Sequence, residues 1–396
     1  MRGFPKDLDY CAVDFELSDD QRALRATVRE FAEAEITPNA GSWDREGTFP
    51  VKTIKKLGDL GVMGLPFPQE YGGLGAGTLA FAIAMEELAR VDSSVAITVG
   101  ASVSLGGTPV LNFGTERQKE QWLVPLARGE TIGAFASTEP GMGSDVQGLQ
   151  TTAQLVDDEW VINGTKAFIT NAGTELSAFV ITTAITGERD NNRAEVSTLI
   201  VPTSAEGFLP QRPYEKMGWH ASDTRELAYQ DCKVPEDALL GPRGAGARQF
   251  LATLDGGRIG VGAMGVGLAQ GCLDHSAAWA QQRCAFGQPI GRFQAVSFEL
   301  ADLKTRIEAA RALVYRAAAL KDAGKSYSEE AAQAKLFASE LAVHAANVAM
   351  QVHGGYGYME ESAIPRFYRD AKILTIGEGT SEILKLVIAR HMGLPL

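Results

Sequence analysis

The sequence has few cysteines and histidines, and their spacing fits neither a disulfide framework nor a metal site. Among 396 residues there are four cysteines, which lie far apart and form no CxxC pair: Cys11, Cys232, Cys272 and Cys284. Scattered thiols of this kind indicate neither a set of disulfides nor a zinc site. The five histidines also lack the spacing of metal ligands: His220, His275, His344, His353 and His391. We therefore expect no metal in this protein.

The sequence also lacks a net positive charge and long apolar runs. The formal net charge is −12 at pH 7, and a chain of this sign repels nucleic acid and anionic membranes. No apolar run approaches the roughly 20 residues that span a bilayer, and residues 1–6 lack the apolar core of a secretory signal. We expect a cytoplasmic protein that binds neither nucleic acid nor membranes.

The periodicity of the hydrophobic residues changes at two points. The spacing is helical up to about residue 130, alternating up to about residue 245, and helical again afterwards. A length of 396 residues also exceeds a single ordinary core. We therefore predict a multi-domain α and β fold: an N-terminal α-helical domain at 1–130, a central small β-barrel domain at 131–245 and a C-terminal four-helix bundle at 246–396.

Local patterns place individual elements. Ser18 and Gln21 form a capping-box pattern before a helix that we expect to end at Pro38, and further helices are predicted at 51–60 and 79–90. Strands are predicted at 151–156, 160–162, 166–170, 178–183 and 195–201, with a turn at Asn163-Gly164 and a solvated hairpin loop at 187–192. The bundle helices are predicted at 254–283, 293–321, 329–352 and 381–391.

One carboxylate, Glu378, lies between Gly377 and Gly379, just before the predicted terminal helix. Flanking glycines leave room for a flat ligand, and the helix N-terminus favours an anion, so the pattern is typical of a base presented on bare backbone. An acid ahead of a helix is equally typical of a cap or a partner for the helix dipole. The pattern by itself leaves both interpretations open.

The predicted helix near residue 254 carries an unusual number of glycines: Gly256, Gly257, Gly260, Gly262, Gly265, Gly267 and Gly271. Each glycine costs a helix roughly 1 kcal/mol relative to alanine, so something must approach this helix closely. Close packing of another helix explains most of these positions. A cofactor or acyl chain lying along the helix is the functional alternative.

Residues 136–145, ASTEPGMGSD, offer a series of hydroxyls and free amides at the point where helices give way to strands. Strands follow its Gly-x-Gly pair, so it is not a dinucleotide-binding fingerprint. Such a loop can hydrogen-bond the polar edge of a heterocycle, with residues 168–170 giving apolar cover. A turn without a ligand is an equally good interpretation of these residues alone.

Taken together and in order, these segments resemble the acyl-CoA dehydrogenase family from near residue 15 to the C-terminus. One family signature matches residues 137–145 and Gly148, and the tail at 378–382, EGTSE, is similar to that of short- and medium-chain, butyryl-CoA-type members. The second signature is matched at the family's spacing by Gln351, Gly354, Gly355, Gly357, Tyr358, Glu361, Arg366 and Asp370.

The resemblance implies FAD bound where three domains meet and shared with a neighbouring subunit of a homo-oligomer, with a dimer of dimers expected. It assigns contacts with the flavin of the same subunit to Phe135, Ser137, Thr138, Gly143, Ser144, Phe168, Ile169, Thr170, Thr380 and Glu382. It assigns contacts with a neighbour's FAD to Arg283, Phe286, Gln294, Gln351, Gly354 and Gly355. Substrate contacts are implied for Ser144, Asp255, Arg258 and Gly379, although a surface ion pair also explains Asp255 and Arg258.

The implied activity is oxidation of an acyl-CoA to trans-2-enoyl-CoA, as in fatty acid β-oxidation. Glu378 would remove the α-proton and flavin N5 would accept the β-hydride. The backbone N–H of Glu378 and a ribityl hydroxyl would polarise the thioester carbonyl, and burial by the ligand should raise the pKa of Glu378. An electron-transfer flavoprotein would take up the electrons.

Several alternatives stay open at this point. Isovaleryl- and long-chain-type members carry the base on the glycine-rich helix, and Gly257 at that position argues against an isovaleryl-type enzyme. A branched-chain dehydrogenase, an acyl-CoA oxidase and a noncatalytic flavin-bearing binding protein are the other candidates. Residues 95–105 and the glycine-rich helix are expected to set acyl length, for which we favour short to medium chains. Residues 219–225 are expected at the substrate mouth or a subunit contact.

Overall fold

The computed structural model describes residues 16–189 and 193–395. Expectations about Cys11, residues 1–6 and residues 190–192 lie outside the described residues. Within the described ranges, helices form both ends of the chain and strands form the middle, which confirms the predicted fold class. The domain boundaries near 130 and 245 stay predictions.

The N-terminal part of the described chain consists mainly of short helices. They are α1 (Asp19–Phe31), α2 (Thr37–Glu46), α3 (Val51–Asp59), α4 (Gly77–Val91), α5 (Ser93–Gly100), α6 (Thr108–Phe113), α7 (Glu116–Gln118) and α8 (Val124–Ala127). Wider π-helical turns at Ala32–Ile36, Ala101–Gly107 and Lys119–Leu123 join consecutive helices.

The start of α1 agrees with its capping-box pattern. The Gln21 backbone N–H donates to Ser18 Oγ at 3.2 Å, and the Ser18 N–H donates to Gln21 Oε1 at 3.0 Å. The predicted end at Pro38 was wrong, because the helical path continues through a π-helical turn to Glu46. Pro38 lies in the first turn of α2, where its missing N–H and fixed φ are tolerated.

The segment from Ser93 to Phe113 was not predicted as a helix. It is a single helical run of 21 residues, and its most apolar window of 18 residues has mean hydropathy 1.4, so by length and composition alone it is a candidate membrane span. However, 78 % of its most apolar window is buried inside the protein. It is therefore a core helix, which contacts both α4 and α9.

The central strands form one curled seven-stranded sheet in the order β1-β4-β2-β3-β7-β6, with β5 paired to β4. They are β1 (Ile132–Ala136), β2 (Thr152–Val156), β3 (Glu159–Thr170), β4 (Ser177–Arg189), β5 (Arg193–Pro202), β6 (Phe208–Pro213) and β7 (Thr224–Pro235). The first, sixth and seventh strands were missed by the sequence analysis. Two-residue strands β8 (Cys284–Ala285) and β9 (Gln288–Pro289) form a separate hairpin.

Two turn predictions in this sheet were wrong. Asn163 and Gly164 lie inside the continuous strand β3, where the register with β7 shifts, and a Cβ on Gly164 would come within 2.6 Å of Thr151 Oγ1. Close backbone approach therefore explains this glycine. The tight turn is instead formed by Asp157 and Asp158, whose φ values are 50° and 65°. The predicted loop at 187–192 begins too early, because β4 extends to residue 189.

The C-terminal part consists of α9 (Gly246–Gln282), α10 (Gln294–Asp322), α11 (Ser328–His353), α12 (Ile364–Ala371) and α13 (Ser381–His391). Four helices, α9, α10, α11 and α13, form the expected bundle, in which α11 contacts each of the other three. Helix α9 begins eight residues before the predicted start and also packs on α4, so the bundle and the N-terminal helices share one hydrophobic core.

Helix packing accounts for several glycines of α9. A Cβ on Gly265 would lie 2.7 Å from the Ala338 carbonyl oxygen of α11. On the opposite side, a Cβ on Gly267 or Gly271 would lie 2.1 or 2.2 Å from backbone oxygens of α4. The helices thus approach more closely than any larger residue allows. Gly257 differs from these positions, because it faces a carboxylate.

Candidate active site

Glu378 lies in a tight turn between the 3₁₀ turn Lys372–Thr375 and α13. Glu378 and Gly379 have φ values of +53° and +98°. A glutamate in the left-handed region is uncommon, and such strain is often found at functional sites. The Thr380 hydroxyl caps α13 by accepting from the Ile383 N–H at 3.3 Å. Thr380 therefore performs the capping role, and Glu378 is left to point its side chain at α9.

The Glu378 carboxyl lies against bare helix backbone. A Cβ built on Gly257 would be 2.2 Å from Glu378 Oε2 and 3.1 Å from Leu105 Cδ2. Although Glu378 as a residue is half-buried, its Oε2 atom is shielded from solvent and has no hydrogen-bond partner among the described residues. A reactive acid without a local partner, held over a glycine, matches the base interpretation better than the capping interpretation.

Burial sets the acidity of this carboxyl. Desolvation raises the pKa of Glu378 to about 7, against the opposing influence of the positive charges of Lys335 and Arg258. Near neutral pH the group therefore exchanges its proton readily, as a general base must. Arg258 is 4 % exposed, and its Nη1 donates to Asp255 Oδ1 at 2.5 Å. The Asp255–Arg258 pair is therefore inside the site and is not an ordinary surface ion pair.

The loop at 137–144 is supported from below by a buried ion pair. The Lys166 ammonium, from β3, donates to Glu139 Oε1 at 2.9 Å and to the Ser137 carbonyl at 3.1 Å. The Glu139 carboxylate also accepts from the Thr151 hydroxyl and N–H. The sequence analysis missed this pair, although a lysine inside an apolar strand was a signal for it.

The upper side of the same loop is open. A Cβ on Gly141 or Gly143 would meet no atom within 4 Å, and Ser144 is exposed. The Ala167 N–H donates to the Thr138 carbonyl at 2.9 Å, which brings the loop beside residues 168–170. A cradle of accessible amides and hydroxyls beside an aromatic fits the polar edge and face of a flavin.

Phe168 is the exposed aromatic at this cradle. Its side chain is 66 % exposed, its φ is +60°, and its ring lies 5.3 Å from that of Tyr214. Ile169 beside it is buried, and Thr170 is half-buried. An exposed phenylalanine held in a strained conformation is consistent with a flat ligand covering it. Phe135 lies at the end of β1, stacked 6.1 Å from Phe250.

A second group of predicted residues lies on a different surface. Arg283, Gly354 and Gly355 line a groove of about 590 Å³, together with Trp279 and Tyr356. The Arg283 guanidinium lies over the Tyr356 ring, 5.8 Å from its centroid. This groove joins a positive charge to exposed aromatic surface, a combination suited to a nucleotide.

The other three residues of this group are exposed on neighbouring elements. Phe286 is 96 % exposed in the β8–β9 hairpin, Gln294 begins α10, and Gln351 lies in the last turn of α11. On α11, Gln351 lies 351 − 335 = 16 residues beyond Lys335, which contacts the Glu378 turn. At 1.5 Å per residue this is about 24 Å along the helix. The groove is therefore remote from Glu378 of its own chain.

Residues 219–225 connect parts of the same chain. The Trp219 N–H donates to Asp370 Oδ1 at 2.6 Å, and its indole N–H donates to Ser93 Oγ at 3.0 Å. The His220 Nε2 lies 2.8 Å from the Lys216 carbonyl. This segment therefore ties the sheet to α5 and α12, a role that the sequence analysis did not foresee.

His353 and Glu382 differ in their surroundings. His353 is buried, with Nδ1 2.8 Å from the Ala349 carbonyl and its ring stacked on Trp279. Glu382 is exposed in the first turn of α13. In the described ranges, no group of three or more histidine, cysteine or acidic side chains is placed to hold a metal ion.

Comparison with known families matches three successive parts of the chain. The N-terminal domain of acyl-CoA dehydrogenase matches residues 18–130, its middle domain matches residues 134–232, and its C-terminal domain matches residues 244–393.

Curated relatives match over nearly the whole length. The probable acyl-CoA dehydrogenase YngJ of Bacillus subtilis is 50 % identical over 96 % of this chain and 100 % of its own length. The mitochondrial short-chain specific acyl-CoA dehydrogenase of Bos taurus is 44 % identical over 95 % of this chain and 91 % of its own.

Solved structures share the fold. Butyryl-CoA dehydrogenase from Megasphaera elsdenii superposes with a TM-score of 0.93 at 41 % identity, covering 96 % of this chain and 100 % of that chain. A chain from a structure of the electron transferring flavoprotein of Acidaminococcus fermentans gives 0.93 at 43 % identity, covering 96 % and 99 %. Acyl-CoA dehydrogenase from Bacillus anthracis, solved in complex with FAD, gives 0.89 at 33 % identity, covering 95 % and 67 %. This chain belongs to the acyl-CoA dehydrogenase family of FAD flavoproteins.

Proposed function

We propose that this protein oxidises a short- to medium-chain acyl-CoA to the trans-2-enoyl-CoA, with Glu378 as the base that removes the α-proton. The observation that carries this proposal is the placement of the Glu378 carboxyl: it is buried over Gly257, and burial raises its pKa to about 7. The relatives named as short-chain specific and butyryl-CoA dehydrogenases support the same substrate class.

The chemistry requires a close base because the α-hydrogen of a thioester is only weakly acidic. Glu378 Oε2 takes this proton, and the Glu378 backbone N–H hydrogen-bonds the thioester oxygen as negative charge develops there. The bare backbone at Gly257 leaves the carboxylate room to approach a carbon atom. Asp255, Arg258 and Gly379 are adjacent to the base and contact the substrate in this proposal.

The cradle beside β1 and β3 holds the flavin. Ser137, Thr138, Gly143 and Ser144 offer hydroxyls and amides to its polar edge, and Phe168 covers it, with Phe135, Ile169, Thr170, Thr380 and Glu382 as further contacts. Bound FAD supplies, at N5, an acceptor for the hydride that leaves the β-carbon. The Lys166–Glu139 pair keeps the loop in place from below.

A second copy of this chain completes the cofactor site. Arg283, Phe286, Gln294, Gln351, Gly354 and Gly355 form an exposed, partly aromatic surface about 24 Å along α11 from the Glu378 turn. Such a surface is suited to the diphosphate and adenosine parts of a neighbour's FAD. The proposal therefore includes a homo-oligomer, with a dimer of dimers as the expected assembly.

The space beyond the base favours short acyl groups. Met85 Cε lies 2.8 Å from the position of a Cβ on Gly100. The end of the Met85 side chain thus occupies the space beside Gly100, and in this proposal it forms the floor of the acyl pocket.

The electrons pass to an electron-transfer flavoprotein in this proposal, and the chain acts in the cytoplasm. The similarity to a chain in a solved structure of an electron transferring flavoprotein supports the choice of partner. Gly257 stands where isovaleryl- and long-chain-type members of the family carry the base, which argues against an isovaleryl-type enzyme.

The test is an anaerobic titration of the purified protein with saturated acyl-CoAs of increasing length and branching, followed by the visible flavin absorbance. Rapid bleaching by short, straight chains is the expected result. Bleaching by branched chains alone would contradict the substrate assignment, and no bleaching of FAD-loaded protein would contradict the dehydrogenation itself. Oxygen uptake during turnover without an added electron acceptor would indicate an acyl-CoA oxidase and not a dehydrogenase.

A further inference from the structure

A buried lysine lies beside the proposed base. Lys335 is 0 % exposed on α11, in a run of alanines that packs against α9. Its ammonium group donates to the Gly379 carbonyl at 2.7 Å. Gly379 directly follows the base, so this hydrogen bond joins the centre of the bundle to the turn that presents Glu378.

Helix α9 packs closely against α11 near Lys335. A Cβ on Gly262 would be 3.5 Å from the Lys335 backbone nitrogen, and one on Gly265 would be 2.7 Å from the Ala338 carbonyl. Helices α9 and α11 therefore approach closely at this level. The Lys335 backbone therefore lies against α9, the same helix whose Gly257 faces the Glu378 carboxyl.

The charges around Glu378 are unequally compensated. Facing the carboxyl from the described elements are Lys335 on α11 and Arg258 on α9, and Arg258 is paired with Asp255. The carboxylate whose negative charge raises the pKa of Lys335 is that of Glu378. Burial lowers the pKa of Lys335 to about 8, so the ammonium form is retained at neutral pH.

We propose that Lys335 is a positioning residue for the dehydrogenation: it fixes the Gly379 carbonyl and supplies the positive charge that favours the ionised form of Glu378. Two consecutive residues of this turn have positive φ, and such a conformation persists only where its surroundings hold it. Lys335 touches neither the reacting carbon nor the transferred proton. This inference rests on the proposed function, in which Glu378 is the base.

The test compares Lys335→Gln and Lys335→Met with Ser339→Ala in FAD-loaded protein. Glutamine keeps a donor for the Gly379 carbonyl and loses the charge, whereas methionine loses both. Ser339 lies one turn further on the same helix, is 0 % exposed, and its hydroxyl has no partner among the described residues, so its removal controls for disturbance of α11. The measurement is the anaerobic rate of flavin reduction by acyl-CoA as a function of pH.

In the pH profile of flavin reduction, both Lys335 variants should shift the midpoint of the acidic limb upward by about one pH unit or more, because the ionised form of Glu378 loses a nearby positive charge. At a given pH on that limb, the rate should fall about tenfold. The alkaline plateau should stay near the wild-type value in Lys335→Gln and fall in Lys335→Met. Midpoints equal to that of Ser339→Ala would overturn the inference. Should Lys335→Met fail to retain FAD, Lys335→Gln alone decides the question.

Glu378→Gln, measured in parallel, separates this inference from the proposed function. Turnover by Glu378→Gln would show that the base is another residue, whatever the Lys335 variants do. An inactive Glu378→Gln together with unshifted Lys335 variants would contradict the role of Lys335 alone.

Discussion

Replacing Gly257 by alanine tests whether the bare backbone under the base matters. The added Cβ would lie 2.2 Å from Glu378 Oε2, whereas ordinary contact begins at 3.4 Å. The carboxyl must therefore move by about 1 Å, and a displacement of that size at a reacting group costs on the order of 100-fold in rate. We expect Gly257→Ala to retain FAD and to lose about two orders of magnitude in the rate of flavin reduction.

Gly260→Ala is the matched control for this substitution. A Cβ on Gly260 meets Ser104 Oγ at 3.6 Å and Phe81 at 3.9 Å, which are ordinary contacts, so its rate should stay within a few-fold of the wild type. Both changes replace a helical glycine by alanine and should raise or leave unchanged the stability of α9, by up to about 1 kcal/mol. Thermal unfolding thus distinguishes a misplaced base from an unfolded protein. Equal activity of the two variants would refute the reasoning.

Three further predictions concern acidity, acyl length and the flavin loop. The rate of flavin reduction should rise through about pH 7 and then level off, because Glu378 must lose its proton before it accepts another; a rate independent of pH in this range would contradict its assignment. Met85→Ala should admit acyl chains longer by roughly three carbons, since the side-chain end that covers Gly100 is removed, and an unchanged length profile in the bleaching titration would place the floor elsewhere. Lys166→Met should leave Glu139 buried without its cation and destabilise the fold by about 3–5 kcal/mol, seen as a lower midpoint of thermal unfolding and lower FAD content; wild-type values for both would contradict this role.

Local patterns predicted the features that depend on neighbouring residues. The Ser18–Gln21 capping box forms because its two hydrogen bonds span three residues, and the helices of the bundle follow a hydrophobic spacing that belongs to one element. The glycines beside Glu378 drew attention to this residue, whereas its contact with Gly257, more than a hundred residues away, is visible only in the fold. The resemblance to a family, and not the spacing of residues, connected Glu378 to a proposed reaction.

The missed features depend on contacts between distant segments. The predicted turn at Asn163-Gly164 was wrong because the close approach of Thr151, just before β2, and not a chain reversal, requires the glycine. The helix from Ser93 to Phe113 was missed because its glycines and serines weaken a helical pattern that burial in the core then stabilises. Lys335 pairs with a carbonyl 44 residues away, which no local pattern records.

The proposed role of Glu378 as the base can be tested by anaerobic mixing of FAD-loaded Glu378→Gln with a short-chain acyl-CoA that bleaches the wild-type protein. The amide keeps the size of the side chain and cannot accept the α-proton as a carboxylate does. We expect the variant to bind FAD and the acyl-CoA while its flavin stays oxidised. Bleaching of the variant at the wild-type rate would show that another group removes the proton.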